Sequence, residues 1–505
     1  MAQVPLNRPL WLEHASPAFP ALESDVECDV AVVGGGITGL TAAYALKQEG
    51  RRVVLLEASR VGFGASGYTT AKLTVGHNLI YRSLVDSFGV EAAAAYARSN
   101  QEAVEWVSET VGRHGIECDF EHTSNYVYVE SPDAAASVES EVEAARAAGV
   151  EAELTSETDL PYPVAASIRV EGQAQFHPWK YLAALARLVD GEGSRVFEEA
   201  RATGVRSGDP CIVTTERGRA VARHVIIATQ MPFFDRGLLF ALAHPTKSYA
   251  VAAAVSEDGA PRGMYISADQ PTRSVRSTPG PNGRRILIVG GEGHKPGNEQ
   301  DTGERYARLE RFLQERFRVE AAEYHWSTHD YTPVDGLPYI GRLRLGDDRI
   351  LGATGFAKWG MTKGTLAGLL LTDLIVGRTN EYAALYDPRR IDARRSVARF
   401  AKENGAVAGF FVRDRFRPRP GRGVVESLAP GEGTIVRVGT AQRAVCRDGA
   451  GTLHVLSARC THLGCIVGWN PADRAWECPC HGSRFAADGT LVQGPATADL
   501  PRRGL

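Results

Sequence analysis

A glycine loop that directly follows an apolar run restricts the fold of this 505-residue chain more than any other feature. The run at 28–33, Cys-Asp-Val-Ala-Val-Val, predicts a buried strand, and Gly34, Gly36 and Gly39 follow it in the spacing G-x-G-x-x-G. Helical periodicity over 40–48 and a second apolar strand over 52–56 complete a βαβ unit. In such a unit the glycines allow a tight turn, close approach of a pyrophosphate, and packing of helix on strand. The pattern predicts a dinucleotide site rather than a simple glycine turn.

An acidic residue at the end of the second strand supports this interpretation. Glu57 stands where a carboxylate binds the ribose hydroxyls of a dinucleotide, and the amides at the start of the helix would hold the phosphates. Its negative charge would repel a 2′-phosphate, which disfavours NADP. These residues alone do not decide which other dinucleotide is bound.

Composition sets the wider limits. At about 150 residues per domain, the length predicts roughly three units. Apolar residues make up 44% and charged residues 23%, which excludes a disordered or fibrous chain. The net charge of −3 gives no general attraction to nucleic acid. The longest apolar stretch, 366–376, contains Thr372 and Asp373 and is too short for a membrane span of about 20 residues. We expect a cytoplasmic protein without an integral membrane segment.

The composition changes after about residue 385. Residues 389–422 carry eleven Lys and Arg against three acidic residues, a local charge of +8. This stretch is expected to be a solvated linker with a short helix. The alternatives are a strap that docks on an acidic surface, or weak membrane-surface contact through Phe410, Phe411 and Phe416. Short strands separated by Gly and Pro then predict a small all-β domain over 424–505.

Four of the eight cysteines fall within residues 460–481 of that last domain, together with two histidines. Cys460 and His462 form a C-x-H pair, and Cys478 and His481 form a C-x-x-H pair. A zinc site is the alternative, but its ligand pairs usually keep two or more residues between ligands. The spacing therefore disfavours zinc.

This pattern resembles the Rieske [2Fe–2S] domain, in the subtype with an additional cysteine in each loop. Gly494-Pro495-Ala496 is similar to the proline loop that covers the cluster in that family. The resemblance implies that two cysteines bind one iron, two histidines bind the other, and the additional cysteines form a disulfide. The implied ligands are Cys460, Cys478, His462 and His481, and the implied disulfide joins Cys465 to Cys480.

The surroundings of the cluster bear on its reduction potential. Relatives of high potential donate hydrogen bonds to the cluster sulfurs from a serine and a tyrosine. Ser483 is present here, but Phe485 stands where the tyrosine is expected. A missing donor makes reduction less favourable.

The larger part of the chain, about 27–380, resembles the FAD-binding family of glycine oxidase, sarcosine oxidase and D-amino acid oxidase. The segments that carry the resemblance are 62–72, 176–178, 335–341 and 355–362. It implies FAD, which we expect to be non-covalent because no cysteine follows Gly341 where some relatives attach it. The implied FAD contacts are Gly34, Gly36, Ile37, Thr38, Gly39, Glu57, Ala58, Ser66, Thr69, Thr70, Ala202, Gly355, Lys358, Gly360, Met361 and Thr362.

Candidate catalytic residues are few. Ala357-Lys358-Trp359 replaces the Gly-His-Gly of sarcosine oxidases, so Lys358 or Lys72 is the predicted positive group near the flavin ring. Arg276 is a candidate clamp for a substrate carboxylate. No proton-abstracting base is identifiable. The sequence His325-x-x-x-His329-Asp330 could indicate mononuclear iron, but structural histidines are the favoured interpretation because no catalytic domain follows the Rieske domain.

These observations predict an α/β FAD-binding domain of Rossmann type with an inserted α+β substrate domain, followed by a small all-β Rieske domain. The predicted division is 1–385 for the flavoprotein, 386–423 for the basic linker and 424–505 for the Rieske domain. FAD-binding segments are expected at about 27–80, 170–235 and 330–380, and the substrate domain at about 81–169 and 236–329. Within the second FAD-binding segment, strands are predicted at 195–205, 211–215 and 224–229.

The expected function is oxidation of a small amine or amino acid. Electrons would pass from FAD to the cluster and on to a protein or quinone-like acceptor. One alternative is an electron-transfer protein without its own small-molecule substrate. A redox-sensing protein is another, disfavoured by the intact segments beside the flavin ring.

Overall fold

The structure is a computed structural model of the chain. It describes residues 9–13, 18–234, 239–280, 283–297, 301–344, 346–390, 401, 404–405, 409, 415 and 417–505. Most of the predicted basic linker, including Phe410, Phe411 and Phe416, lies outside the described residues.

Strands and helices are numbered here in chain order. The strands are β1 (Val26–Val33), β2 (Val53–Leu56), β3 (Lys72–Leu73), β4 (Glu121–Val129), β5 (Ala152–Thr155), β6 (Ala166–Gln175), β7 (Arg195–Phe197), β8 (Ala202–Arg206), β9 (Cys211–Thr215), β10 (Arg219–Ile227), β11 (Ala243–Val255), β12 (Met264–Ser267), β13 (Arg273–Pro279), β14 (Arg285–His294), β15 (Tyr324–Pro333), β16 (Tyr339–Arg344), β17 (Asp347–Thr354), β18 (Gly433–Val438), β19 (Ala441–Arg447), β20 (Leu453–Ser457), β21 (Gly468–Asn470), β22 (Ala475–Glu477), β23 (Arg484–Ala486) and β24 (Leu491–Gln493). The helices are α1 (Ile37–Gln48), α2 (Tyr81–Phe88), α3 (Val90–His114), α4 (Ala135–Ala147), α5 (Pro178–Val189), α6 (Leu239–Leu242), α7 (Gly303–Phe317), α8 (Gly360–Val376) and α9 (Ala383–Tyr386).

The first sheet contains the dinucleotide-binding unit. Its strand order is β16-β17-β10-β1-β2-β7, and β1 pairs in parallel with both β2 and β10. Strand β2 and the last four residues of β1 are fully buried apolar runs, as is typical of the centre of a parallel sheet. Helix α1 packs against α5 and α8. Its contact with α8 is close: a Cβ at Gly364 would stand 2.6 Å from Cγ2 of Ile37. This packing fixes the N-terminus of α8 beside the glycine loop.

A second, nine-stranded sheet carries the inserted domain. Its order is β15-β11-β14-β13-β12-β4-β6-β3, with β5 beside β6. Most pairs are antiparallel, whereas β12 and β4 pair in parallel. Helix α7 packs on β11 and β14, and α4 packs on β5 and β6. The second sheet therefore places β15 at one edge, next to β11.

One predicted strand is wrong in extent. The stretch 195–205 was expected to be continuous, but the structure divides it into β7 and β8. Glu199 between them has φ of 48°, in the left-handed region that ends an extended strand. The carboxylate of Glu198 accepts hydrogen bonds from the amides of Phe19 and Val61, which holds this turn in place.

The C-terminal domain consists of two small antiparallel sheets, β18-β19-β20 and β21-β22-β23-β24. Its core includes the fully buried side chains of Trp476 and Phe485. The domain lies directly against the second sheet: Thr302 donates a 2.6 Å hydrogen bond to Asn470, and Gly468 packs on the backbone of Gly297. The predicted fold class is confirmed, and the fold brings the cysteine–histidine loops next to the edge strand β15.

Candidate functional site

The glycine loop opens into a cavity at the carboxyl ends of β1, β2 and β10, which is where open α/β sheets bind ligands. Gly34 has φ of +110°, and a Cβ there would stand 2.5 Å from the carbonyl oxygen of Ala228. A Cβ at Gly39 would collide with the carbonyl oxygen of Gly34. By contrast, a Cβ at Gly36 meets only Ser66, with Oγ at 3.0 Å. The loop is therefore built by two glycines that the backbone requires and one that leaves room for a ligand.

Glu57 is held at the wall of this cavity. One carboxylate oxygen accepts a 2.8 Å hydrogen bond from the Gly35 amide, and the other accepts a 2.9 Å bond from the Ser59 amide. Burial raises the pKa of Glu57, while these amides and the charge of Arg201 oppose the rise. The carboxylate is thus oriented for the ribose hydroxyls of a dinucleotide.

The predicted FAD contacts fall into two groups. One group lines the cavity: Gly34, Gly36, Ile37, Thr38, Glu57, Ala58, Ser66 and Ala202. The other group lies where the segment 69–74 meets the loop before α8. Thr362 joins these two segments, because its hydroxyl donates to the carbonyl of Thr74 and accepts from the Thr74 amide, both at 3.0 Å. The structure thus brings the two segments that were predicted to flank the flavin ring side by side.

The loop before α8 is tied to β15. Ala357 and Lys358 both have positive φ, at 52° and 73°. The Lys358 amide donates to the carboxylate of Asp330, and the Ala357 amide donates a 3.0 Å bond to the carbonyl of Tyr331. The side chain of Lys358 extends over β14. Its Nζ atom is so close to Gly293 that a Cβ added to this glycine would stand only 2.7 Å from it. The second predicted lysine, Lys72, is buried and donates to the carbonyl of Tyr265.

A third lysine, Lys363, was missed by the sequence analysis. It is fully buried in the first turn of α8, and among the described residues Nζ has no hydrogen-bond partner. Nζ lies 5.5 Å from the ring centroid of Tyr96. Burial lowers the pKa of Lys363 to about 7, and the charge of Asp330 opposes the shift. A lysine among the uncharged residues of the first turns of α8 was the available signal.

Arg276 lies behind the segment 69–74. The side chain is 1% exposed, and Nη1 donates to the carbonyl oxygens of Thr70 at 3.0 Å and Ala71 at 2.7 Å. Burial lowers its pKa to about 9. The guanidinium therefore supports the backbone beside the predicted flavin ring. Its role as a substrate clamp stays a prediction.

The four predicted iron ligands converge in the C-terminal domain. The imidazole centroids of His462 and His481 are 5.0 Å apart, and both Nδ1 atoms are buried without a hydrogen-bond partner among the residues described. Cys460 and Cys478 are free, buried thiols that hydrogen-bond to each other. Burial lowers the histidine pKa values, to about 4 for His462 and about 3 for His481, so both imidazoles are neutral and able to bind metal.

The additional cysteines form the expected disulfide, with Sγ of Cys465 and Cys480 joined at 2.09 Å. Ser483 accepts a 3.0 Å hydrogen bond from the Ala496 amide, and its hydroxyl also contacts the Cys460 thiol. Two orphaned imidazole nitrogens beside two free thiols match the ligand set of a Rieske cluster. The donors present therefore fit a [2Fe–2S] cluster.

A buried set of four charges fixes this domain to the flavoprotein. Lys247 on β11 contacts the carboxylates of Asp473 and Glu477, and Arg484 lies 2.9 Å from Asp473 and 3.7 Å from Glu477. Although burial alone would raise the pKa values of the two acids, the charges of Lys247 and Arg484 hold them below their ordinary values. The charges balance, as a buried ionic group requires.

Strand β15 separates the predicted flavin region from the cluster region. The Tyr331 hydroxyl donates a 2.8 Å bond to the carbonyl of His481, and Nδ1 of His329 lies 3.0 Å from the carbonyl of Gly482. As noted above, Tyr331 also accepts from Ala357, while Asp330 accepts from Lys358. Successive residues of one strand therefore contact an iron-ligand loop on one side and the loop before α8 on the other.

The alternative iron site at His325, His329 and Asp330 is not assembled. Nε2 of His325 contacts Glu310, and His329 faces the Rieske domain. The Asp330 carboxylate is bound by backbone amides. Each of the three side chains has a different contact, which agrees with the interpretation of His325 and His329 as structural histidines.

Comparison with known proteins assigns both parts of the chain. Residues 29–374 match the model of the FAD dependent oxidoreductase family, and residues 423–502 match that of the Rieske [2Fe-2S] domain. The chain belongs to the FAD dependent oxidoreductase family and carries a C-terminal Rieske domain. It is an oxidoreductase whose cofactors are FAD and a [2Fe–2S] cluster.

Individual relatives share the architecture in whole or in part. The putative Rieske 2Fe-2S iron-sulfur protein YhfW of Bacillus subtilis (strain 168) is 36% identical over 486 residues, which cover 96% of this chain and 95% of that protein. Gamma-glutamylputrescine oxidoreductase of Escherichia coli (strain K12) is 27% identical and covers 72% of this chain and 88% of its own length. Among solved structures, glycine oxidase from Geobacillus kaustophilus superimposes with a TM-score of 0.61 at 19% identity, covering 72% of this chain and 99% of that one. Within the described residues, no helix has the length and apolar character needed to cross a membrane.

Proposed function

We propose that this protein oxidises a small amine or amino acid at the FAD module. Its electrons would leave through the Rieske cluster to an external acceptor, a one-electron protein or a quinone-like molecule. The observation that carries the proposal is the contact of Tyr331 with both the loop before α8 and the backbone of His481. A Rieske domain docked in this way suits transfer within one chain.

The balance of the reaction is simple. When bound, FAD accepts a hydride from the carbon that bears the amine, and a Rieske cluster carries single electrons onward. The substrate loses two electrons and a proton together as this hydride and becomes an iminium ion, which water hydrolyses to a carbonyl compound and the free amine. No proton-abstracting base is required if the amine arrives neutral.

The chain's own contribution is electrostatic and positional. The N-terminal amides of α8 would favour negative charge on a flavin ring bound beside them, as the resemblance to the FAD-binding family implies. Lys358 would add a positive charge; burial lowers the pKa of its amine, and the charge of Asp330 opposes that shift. The carboxylate of Asp330 also fixes the backbone that presents Lys358. Lys72, the other predicted catalytic lysine, is bound to a backbone carbonyl, so Lys358 is the favoured candidate.

The substrate class rests on the family. Gamma-glutamylputrescine oxidoreductase, a relative over most of the flavoprotein part, is named for an amine substrate. This supports an amine or amino acid over other hydride donors. For the outgoing electrons, His462 is half-buried and the adjacent Leu463 is 48% exposed, so this edge of the cluster loops is the proposed exit.

The contacts of Arg276 bear on the second candidate, an electron-transfer protein without a small-molecule substrate, because they weaken the case for an amino-acid substrate. The predicted substrate residue Arg276 directs Nη1 to backbone carbonyls. Unless another positively charged side chain binds it, the carboxylate of an amino-acid substrate would have no ion-pair partner in the site. A simple amine would not need one.

The experiment is anaerobic mixing of the purified holoprotein with a panel of amines and amino acids while the flavin absorbance is followed. We expect at least one compound to bleach the flavin, with the amine released as ammonia or a shorter amine. The Lys358→Met variant should slow the bleaching, whereas Lys180→Met, which removes a surface lysine paired with Asp119, should not. If no amine acts while a reduced one-electron donor protein reduces both cofactors, the electron-transfer alternative is correct.

A further inference from the structure

The FAD cavity is lined by both domains. On the flavoprotein side its wall includes Gly36, Glu57 and Ala202. On the Rieske side it includes residues of the segment that begins with β24 and contains the proline loop. Those residues are Val492, Gln493, Gly494, Ala496 and Thr497. We call residues 491–497 the shared loop.

Two flavoprotein side chains that line the cavity are bonded to the shared loop. Nη2 of Arg201 donates a 3.1 Å hydrogen bond to the carbonyl of Leu491. Oε1 of Gln230 accepts a 2.5 Å hydrogen bond from Nε2 of Gln493. Both Arg201 and Gln230 are cavity residues, so the contacts between the domains lie in the wall of the cofactor site itself.

The backbone at Gln230 supports a specific role for this glutamine. Its φ of 66° lies in the left-handed region, which a residue with a long side chain seldom adopts. Its side chain bridges three parts of the molecule, because Nε2 donates to the carbonyl of His329 on β15 while Oε1 accepts from Gln493. Left-handed backbone at a non-glycine residue persists where surrounding contacts hold it. Here those contacts come from β15 and the Rieske domain.

The opposite side of the shared loop faces the iron site. The Ala496 amide donates a 3.0 Å hydrogen bond to Ser483, whose hydroxyl contacts the Cys460 thiol. One short loop therefore lines the dinucleotide cavity and also bonds Ser483, which contacts the predicted ligand Cys460. A change in its position would alter both sites.

We propose that the shared loop of the Rieske domain is part of the FAD-binding site and that FAD binding and docking of the Rieske domain stabilise each other. The docked Rieske domain completes the cavity, so FAD should bind the docked state of the protein more tightly than the undocked state. By linkage, it must then favour docking by the same factor. The proposal depends on FAD binding and not on the substrate or the acceptor.

The first test measures release of FAD from the full-length holoprotein after dilution, from the fluorescence of the free flavin. Gln493→Ala removes the side-chain bond to Gln230, and we expect release about threefold to tenfold faster, as for the loss of one hydrogen bond. The matched control is Gln442→Ala, which removes a glutamine from β19 of the same domain, outside the cavity. It should release FAD at the wild-type rate. Iron content should be unchanged in both variants.

The second test measures the reverse coupling by hydrogen exchange. Peptides that cover the shared loop should exchange faster in FAD-stripped protein than in holoprotein, whereas peptides from β18 to β20 should not change. Unchanged FAD release in Gln493→Ala, or exchange in the shared loop that is independent of FAD, would overturn the proposal. Both measurements omit substrate, so their failure is distinct from failure of the proposed amine oxidation.

Discussion

Replacing Lys247 by methionine tests the docking of the Rieske domain most severely. The side chain of Lys247 is 0% exposed and contacts two carboxylates, those of Asp473 and Glu477. In the wild type, two cations and two anions balance. The variant retains Arg484 alone against both acids, which leaves one buried negative charge uncompensated. Breaking a buried ion pair by removing one partner costs about 3–5 kcal/mol.

Because about 1.4 kcal/mol corresponds to a factor of ten, the docked state should lose two to four powers of ten in relative population. The assay is hydrogen exchange of peptides from β11 and from residues 473–484, combined with urea unfolding. We expect faster exchange at the interface in Lys247→Met and a lower free energy of unfolding. Exchange should remain slow in α3, which packs against α2, α4 and α8.

Two controls make this result specific. Lys180→Met breaks a partly exposed pair with Asp119 and should cost only about 0–1 kcal/mol. The double variant Lys247→Met with Asp473→Asn leaves Arg484 and Glu477 as a balanced pair and should recover most of the loss. If Lys247→Met exchanges and unfolds like Lys180→Met, the four charges do not hold the domain and the reasoning is refuted.

Three further predictions concern single residues. Burial lowers the pKa of Lys363 to about 7, so between pH 7 and 10.5 the unfolded chain binds a proton that the folded chain does not. Lys363→Met should therefore raise the free energy of unfolding by up to about 5 kcal/mol at pH 7 or below, and this gain should vanish near pH 10.5. Urea unfolding at pH 7 and at pH 10 measures the difference. In Gly36→Val the new side chain would extend towards the FAD cavity, so the variant should fold and keep two irons per chain but lack flavin. Full flavin content in this variant would contradict the placement of the glycine loop. Phe485→Tyr should raise the midpoint potential of the cluster, because the new hydroxyl would donate a hydrogen bond to a cluster sulfur, whereas Phe485→Leu should not raise it. If a redox titration gives the same midpoint potential for Phe485→Tyr and the wild type, this hydrogen bond does not form.

The sequence was sufficient for features that depend on short spacing. The glycine loop, Glu57 and the two Cys–His pairs lie within short segments, so the Rossmann-type unit and the ligand loops could be predicted from local patterns. The same holds for the disulfide, which follows from resemblance to the Rieske subtype. The predicted strand at 195–205 failed because the left-handed backbone at Glu199 depends on contacts that Glu198 makes with distant segments.

Long-range contacts could not be predicted from the sequence. Lys247 lies more than 200 residues from Asp473, and Gln230 more than 200 from Gln493, so no periodicity links them. Nothing in the local sequence distinguishes Tyr331 from other strand residues, and its hydrogen bond to the His481 carbonyl is evident only from the structure. The basic stretch, expected to be a solvated linker with docking as an alternative, lies mostly outside the described residues. The described interface is formed by buried side chains of β11, β15 and the Rieske loops.

The central claim is that electrons pass from the flavin module to the cluster within one chain. Its most direct measurement is rapid mixing of the holoprotein with a reducing amine in the absence of oxygen, with freeze-quenched samples examined by electron spin resonance. The account predicts that the signal of the reduced Rieske cluster grows as fast as the flavin is reoxidised, at a rate independent of protein concentration. A flavin that stays reduced beside an oxidised cluster over many turnover times would contradict it.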